Sequence, residues 1–238
     1  MNDSGVRPFR AAMLLLFASA WLLVPDAHAV PINFPYYVGP FANDNLPPDA
    51  VYTALGVHRY GPADEIQLQG STHALFSASA PPPPSIAGAS TVHTFNSVIE
   101  GDLFLSGSFI DHISADALTT VRVEFDQLLG AERFFDTELL QLDISGGNLP
   151  AGVLIRESPT IPSLGQTAIR DIGGGQFQIS SFFDVFTELS LDGGQTWIPS
   201  NGSVTMQLVP EPATVLLLTG GIVAGAARRR RGRILRRT

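Results

Sequence analysis

The 238-residue chain contains no cysteine and no lysine. Without cysteine there are no disulfide staples and no thiolate chemistry, so stability must come from a buried core or bound ions. Without lysine there is no Walker-type phosphate loop, and Gly173–Gly175 reads as a flexible turn. Charge is sparse and uneven. Between Val30 and Leu208, five arginines face nineteen acids, a net charge of −14, while the whole chain carries −8. The seven arginines from Arg228 to Arg237 mask that imbalance. So acidic a stretch leaves no basic footprint for nucleic acid. It favours solubility outside the cell and loose association with divalent cations. Long amphipathic helical patterns are also missing.

The two apolar runs lie at the chain ends. Met1–Arg10 holds Arg7 and Arg10, and Ala11–Val24 is apolar until Pro25 breaks it. Ala27 and Ala29 then supply small residues at the two positions a signal peptidase reads. This is the layout of a secretory signal peptide cleaved after Ala29, and its apolar run is short for a retained anchor.

At the other end, Pro210-Glu211-Pro212 precedes an uncharged run, Ala213–Ala227, and then Arg228–Thr238. Fifteen residues make a helix of about 22 Å, against a bilayer core of about 30 Å. Thr219, Gly220, Gly221 and Gly225 dilute the apolarity further. Pro212 suits a helix start, and snorkelling arginines extend the effective length. Arg228, Arg229, Arg230 and Arg231 read as a cytoplasmic stop signal. The expectation is a single transmembrane helix, marginal as a permanent span. A core helix followed by a nucleic-acid-binding arm is the competing reading, and it fits an exported chain poorly.

The order of Pro-Glu-Pro, short apolar helix and arginine cluster resembles the PEP-CTERM sorting signal. The resemblance implies processing near Pro210, Glu211 and Pro212 by an exosortase, a membrane-embedded protease-like enzyme. It also implies a bacterial envelope or extracellular-matrix protein, of a kind often made alongside exopolysaccharide genes. It covers the tail alone and carries nothing onto residues 30–208.

Those residues read as one all-β domain, a sandwich or jelly roll, because short strand patterns recur at roughly ten-residue spacing. Val30–Asp49 is an irregular, proline-rich lead-in with an edge strand at Tyr36–Val38. Val51–Tyr60 is a strand, and Ile66–Leu68 and Ala74–Ser77 are short strands split by a turn at Gly70–Thr72. Pro81–Pro84 is a stiff loop. Thr91–Ile99 and Asp102–Ile110 flank Glu100-Gly101, which reads as a hairpin turn. Val121, Val123 and Phe125 share an apolar face, as do Leu140, Leu142 and Ile144. Gln127–Phe135 reads as a short helical turn, and Val153–Arg156 as a brief strand. Gln176–Leu191 is the longest strand, and Ser203–Val209 closes the domain.

Ser190, Asp192, Gly194 and Trp197 fit the Asp-box pattern S-x-D-x-G-x-T-W, found in sialidases and other β-rich extracellular proteins. Here a carboxylate accepts turn N–H groups, glycines allow positive φ and the indole packs beneath. One copy predicts a folding device, not a glycosidase. His58, His73, His93 and His112 form no close pair, so surface or half-buried structural roles are expected rather than a zinc or iron site. Asn43, Asp44, Asn45 and Asp49 form an oxygen-rich loop, with Asp64-Glu65 and Asp111/Asp116 as lesser clusters. Calcium is the cofactor such ligands suit, although none fits an EF-hand loop. There is no G-x-S-x-G element. The expected function is therefore non-enzymatic: structural, adhesive or glycan-binding at the envelope, with exopolysaccharide as a partner. A secreted polysaccharide hydrolase, with a carboxylate pair that only geometry could identify, is the alternative.

Overall fold

The structure is a computed structural model that describes residues 36–210. The signal-peptide positions Ala27 and Ala29 lie outside the described residues, as do Glu211, Pro212, the apolar run and Arg228–Arg231. Among the described residues there is no helix, and hence none able to cross a membrane.

Thirteen strands form one antiparallel sheet. They are β1 (Val38–Phe41), β2 (Val51–Ala54), β3 (His58–Tyr60), β4 (Ile66–Ala74), β5 (Ser90–Leu105) and β6 (Ser108–Leu129). Then come β7 (Glu132–Ser145), β8 (Leu154–Glu157), β9 (Ser163–Gly173), β10 (Gln176–Val185), β11 (Thr187–Ser190), β12 (Ile198–Pro199) and β13 (Val204–Val209).

Several of these are halves of one interrupted strand. β8 and β9 lie in line between β7 and the continuous run of β10 and β11. Likewise β2 and β3 flank β4, and β12 and β13 flank β11 and β10. Taken so, the chain is an up-and-down meander of eight staves, each paired with the next. The last stave returns to the first: Met206 pairs with Ala54, Val209 with Val51, and Tyr60 bridges Ser200. The sheet closes on itself as an eight-stranded barrel.

The all-β expectation holds, but the sandwich or jelly-roll reading is corrected to a closed barrel. Strand spacing alone is the same in both. Closure depends on β13 meeting β2, a contact spanning about 150 residues of sequence.

Alternation builds the interior. On β6, Ile113, Ala115, Ala117, Thr119, Val121 and Val123 point inward, while His112, Asp116, Leu118, Arg122 and Glu124 lie between them. Each large apolar side chain removed from water in this way contributes roughly 1.5–3 kcal/mol.

Three local expectations fail for physical reasons. Gly70–Thr72 and Glu100-Gly101, read as two turns, face each other inside one β4–β5 pair. Gly70 adopts φ 59°, and the ladder skips from Gln69↔Asp102 to Thr72↔Glu100. This is a bulge that sets two residues against one. A Cβ at Gly101 would lie 2.7 Å from Leu68 Cδ1 and 3.2 Å from the Gln69 carbonyl oxygen, so any side chain there would force its neighbours to shift. The Gln127–Phe135 helical turn is instead the hairpin joining β6 to β7. Finally, Leu140 does not share a face with Leu142 and Ile144. Thr120 pairs with Gln141 and Val121 with Leu139, so Leu140 is the extra residue and turns outward.

Candidate functional site

The barrel encloses a cavity of about 50 Å³. Its wall is mostly apolar, with Leu68, Phe95, Ile99, Leu142, Ile155, Phe183 and Met206 among the lining residues. No Asp, Glu, Lys or Arg side chain lines it. What polarity it has comes from two histidines, two tyrosines and three hydroxyl residues, Ser71, Thr119 and Thr187.

These groups form two clusters. In the first, the Tyr60 hydroxyl lies 2.7 Å from Thr187 Oγ1, which lies 3.4 Å from His58 Nδ1. In the second, His73 Nε2 lies 2.6 Å from Ser97 Oγ, and Ser97 Oγ lies 3.1 Å from Thr119 Oγ1 and donates to the Ala117 carbonyl. Nearby, the Tyr52 hydroxyl donates to Ser181 Oγ at 3.0 Å, and Ser181 pairs with Thr167 at 2.8 Å. Phe76 and Phe95 pack around His73, with ring centroids 5.0 and 6.4 Å away.

Burial sets the protonation of all four rings. It lowers both His58 and His73 to about 4, so each imidazole is neutral near pH 7. It raises Tyr60 to about 12 and Tyr52 upward as well, keeping both phenols protonated. The interior is therefore free of formal charge. His58, expected at or near the surface, is 5% exposed, because β3 turns it onto the same face as Tyr52 and Tyr60.

Ser71 stands apart. It is 2% exposed, it lines the cavity, and its Oγ has no hydrogen-bond partner. The Gly70 bulge places it there. Without the extra residue, strand alternation would put position 71 on the opposite face from Leu68.

One end of the barrel is closed by the lead-in. Leu46, Pro47, Pro48 and Ala50 are buried there, and Pro47 reaches the cavity wall. Arg133 holds the lead-in through Asp44 at 2.8 Å, and the Leu46 amide donates to the carbonyl of Pro81 in the polyproline loop. Asp44 is thus an ion-pair partner.

The other candidate calcium ligands are dispersed. Asn43 Oδ1 accepts the Asn45 amide, Asp64 pairs with Arg59 and Asn201, and Asp111 accepts the His112 amide. Among the described residues, no three or more His, Asp or Glu side chains converge as a metal site requires. His112, exposed, pairs with Asp102 at 2.8 Å across the β5–β6 ladder, and this contact raises its pKa.

Near the opposite end lies the turn containing Ser190, Asp192, Gly194 and Trp197. Asp192 Oδ1 accepts the amides of Gln195 and Thr196 and the Ser190 hydroxyl, while Oδ2 accepts Thr196 Oγ1. These bonds hold the Asp192 carboxyl down at about 2. Trp197 Nε1 donates to the Gly194 carbonyl, and Arg156 stacks 3.9 Å from the indole centroid. Arg156 also grips Glu188 through two nitrogens at 2.7 and 3.0 Å. The Asp192 carboxylate is thus spent on the turn, and the Arg156–Glu188 contacts on the β8–β11 pair.

Glu157, at the end of β8, is paired in register with Thr187. Desolvation, with smaller repulsion from Glu138 and Glu188, raises it to about 7, while Ser163 Oγ donates to it at 3.2 Å. Neither Glu157 nor the cavity-lining Ser71, His58, His73, Tyr52 and Tyr60 stood out as a site in the sequence. The only available signal was the shared parity of Tyr52, His58 and Tyr60.

A family model described as the PEP-CTERM protein-sorting motif matches residues 208–231. No curated protein and no solved structure matches the chain. The match begins inside the barrel: Leu208 is fully buried on β13, and Val209 pairs with Val51. Pro210 follows directly, with no linker between the last stave and the motif. The chain carries a PEP-CTERM sorting motif in its C-terminal tail, the mark of an exported protein that an exosortase sorts to the cell surface.

Proposed function

We propose that the mature protein is a non-enzymatic component of the cell envelope or extracellular matrix, with a structural, adhesive or glycan-binding role. Signal peptidase removes residues 1–29. The apolar run from Ala213 to Ala227 then holds the chain in the membrane as an intermediate, arginines inside and barrel outside. Exosortase action near Pro210–Pro212 delivers the barrel to the surface, where exopolysaccharide is the partner.

The observation that carries this reading is the separation of charge. Among the described residues no acid lines the cavity, and each arginine is committed to an acid. A hydrolase of the usual two-carboxylate kind needs a facing acid pair in a cleft, and the enclosed space supplies none.

Replacing Pro210-Glu211-Pro212 by alanines and fractionating the cells tests the sorting step. The variant is expected to stay in the membrane fraction at unprocessed size, and wild-type size and location would sink the claim. A glycan array with and without calcium tests the binding role. Reducing ends released from the purified exopolysaccharide would favour the hydrolase instead.

A further inference from the structure

We propose that the barrel interior is a binding site for a small uncharged molecule bearing a carbonyl or hydroxyl group, with Ser71 Oγ as its hydrogen-bond partner. Three observations converge on it. First, there is room: the cavity is about 50 Å³. An apolar cavity of about 150 Å³ holds the six carbons of benzene, so in proportion this one suits about two non-hydrogen atoms.

Second, one polar atom in the wall is unsatisfied. The other hydroxyls around the cavity are taken, Tyr60 and Thr187 by each other, Tyr52 by Ser181, and Thr119 by Ser97. Ser71 Oγ has no partner, although a buried hydroxyl left unpaired is costly. The bulge that turns that hydroxyl inward gives the cavity one unpaired hydroxyl on a mostly apolar wall. That is the usual plan of a small-molecule site, in which a few placed polar groups orient an apolar body. The other two unpartnered buried atoms, on His93 and Thr137, do not line the cavity.

Third, the wall has no charged side chain to balance an ion. A carboxylate or ammonium ligand would lose its hydration without a counter-charge. The occupant must be neutral, with an apolar body against Phe95, Ile99 and Met206 and one oxygen directed at Ser71.

Methanol and methylammonium have two non-hydrogen atoms each and differ in charge, so they serve as the probes. Met206 is the sole methionine after Met13, and its labelled methyl group, read by NMR in the full-length protein in detergent, reports directly from the cavity wall. Methanol is expected to shift Met206 saturably, and methylammonium at the same concentration is expected to leave it unmoved. Ser71→Ala is expected to weaken methanol binding about fivefold, the loss of one neutral hydrogen bond, while the melting temperature holds or rises. No saturable shift with methanol, or an equal shift with methylammonium, would overturn the proposal without any variant. Unchanged methanol affinity in Ser71→Ala would leave the bulge hydroxyl to a buried water and overturn its role as well.

Discussion

The interior and the exterior of the barrel use polar groups in opposite ways. Inside, His58, His73, Tyr52 and Tyr60 are held uncharged by burial and joined to Thr187, Ser97 and Ser181 by neutral hydrogen bonds. Outside lie the acids and arginines, and apart from Glu188, buried at 8% exposure, their ion pairs are partly exposed, as with Arg59–Asp64 at 3.2 Å. The inner groups sit where desolvation is large and a lost partner is expensive. The outer groups sit in water, where Coulomb energy is screened and rearrangement is cheap. Stability should therefore answer steeply to changes inside and weakly to changes outside, even though most of the charge is outside.

Acid is the strongest way to break this contrast. Each of the two cavity histidines, His58 buried and His73 half-buried, has a folded pKa near 4 against about 6.5 unfolded. Its stabilising contribution is complete above pH 6.5 and is lost as pH falls towards 4, because the unfolded chain binds the proton first. The loss is on the order of 3 kcal/mol per imidazole at pH 4. Glu157 works with the opposite sign: raised to about 7, it weakens the fold as pH rises from 4.5 to 7. Protonating the exterior acids also relieves self-repulsion. A net fall in denaturant midpoint from pH 6.5 to 4 would therefore report the interior. A double variant, His58→Phe with His73→Phe, should flatten it, and an unchanged slope would mean the exterior dominates.

Phe135→Ala comes next. The ring is 1% exposed and packs edge-on to Phe125 at 5.4 Å. Truncation should cost about 3–5 kcal/mol in chemical denaturation, because a rigid barrel cannot collapse around the void. Tyr60→Phe removes a single buried hydrogen bond and leaves Thr187 Oγ1 with only the long contact to His58. We expect a loss of about 1–2 kcal/mol, and a neutral result would show that Thr187 finds another partner. Arg59→Ala, on the exposed side, should change stability by no more than about 0.5 kcal/mol, and that difference should vanish in high salt. A larger, salt-independent loss would break the comparison.

Much of the barrel was legible as period-two alternation. β13 follows the pattern in full, as does the middle of β6 from Ile113 to Val123, whereas β10 is buried on both faces from Ile179 to Phe183; the expected strand Gln176–Leu191 lies within a residue of the run formed by β10 and β11. Alternation fails wherever a bulge resets the face. At Gly70-Ser71 the residues before and after the bulge both point inward, Leu68 at odds in parity with Ser71 and His73. At Leu140 the inward set changes from Phe135, Thr137 and Leu139 to Leu142 and Ile144. A glycine beside a polar residue reads as a turn in a sequence, because turns and bulges both require positive φ. Only the partner strand distinguishes them. The cavity went unseen for the same reason, since its polar clusters join residues far apart in sequence, Tyr60 with Thr187 across 127 positions and Thr119 with His73 across 46.

The Asp-box turn and the sorting tail are local. Ser190 to Trp197 fold through bonds spanning four residues or fewer, and residues 208–231 match a motif read in linear order. The sequence by itself determined these, together with the strand-rich class and the acidity of the exterior. Each depends on neighbours along the chain or on composition. Tertiary structure decided that the sheet closes, that the lead-in seals one end, and that Ser71, His58 and His73 face a shared neutral cavity. Those outcomes depend on long-range register and on bulges that shift it, and in a sheet a one-residue slip moves every side chain to the other face.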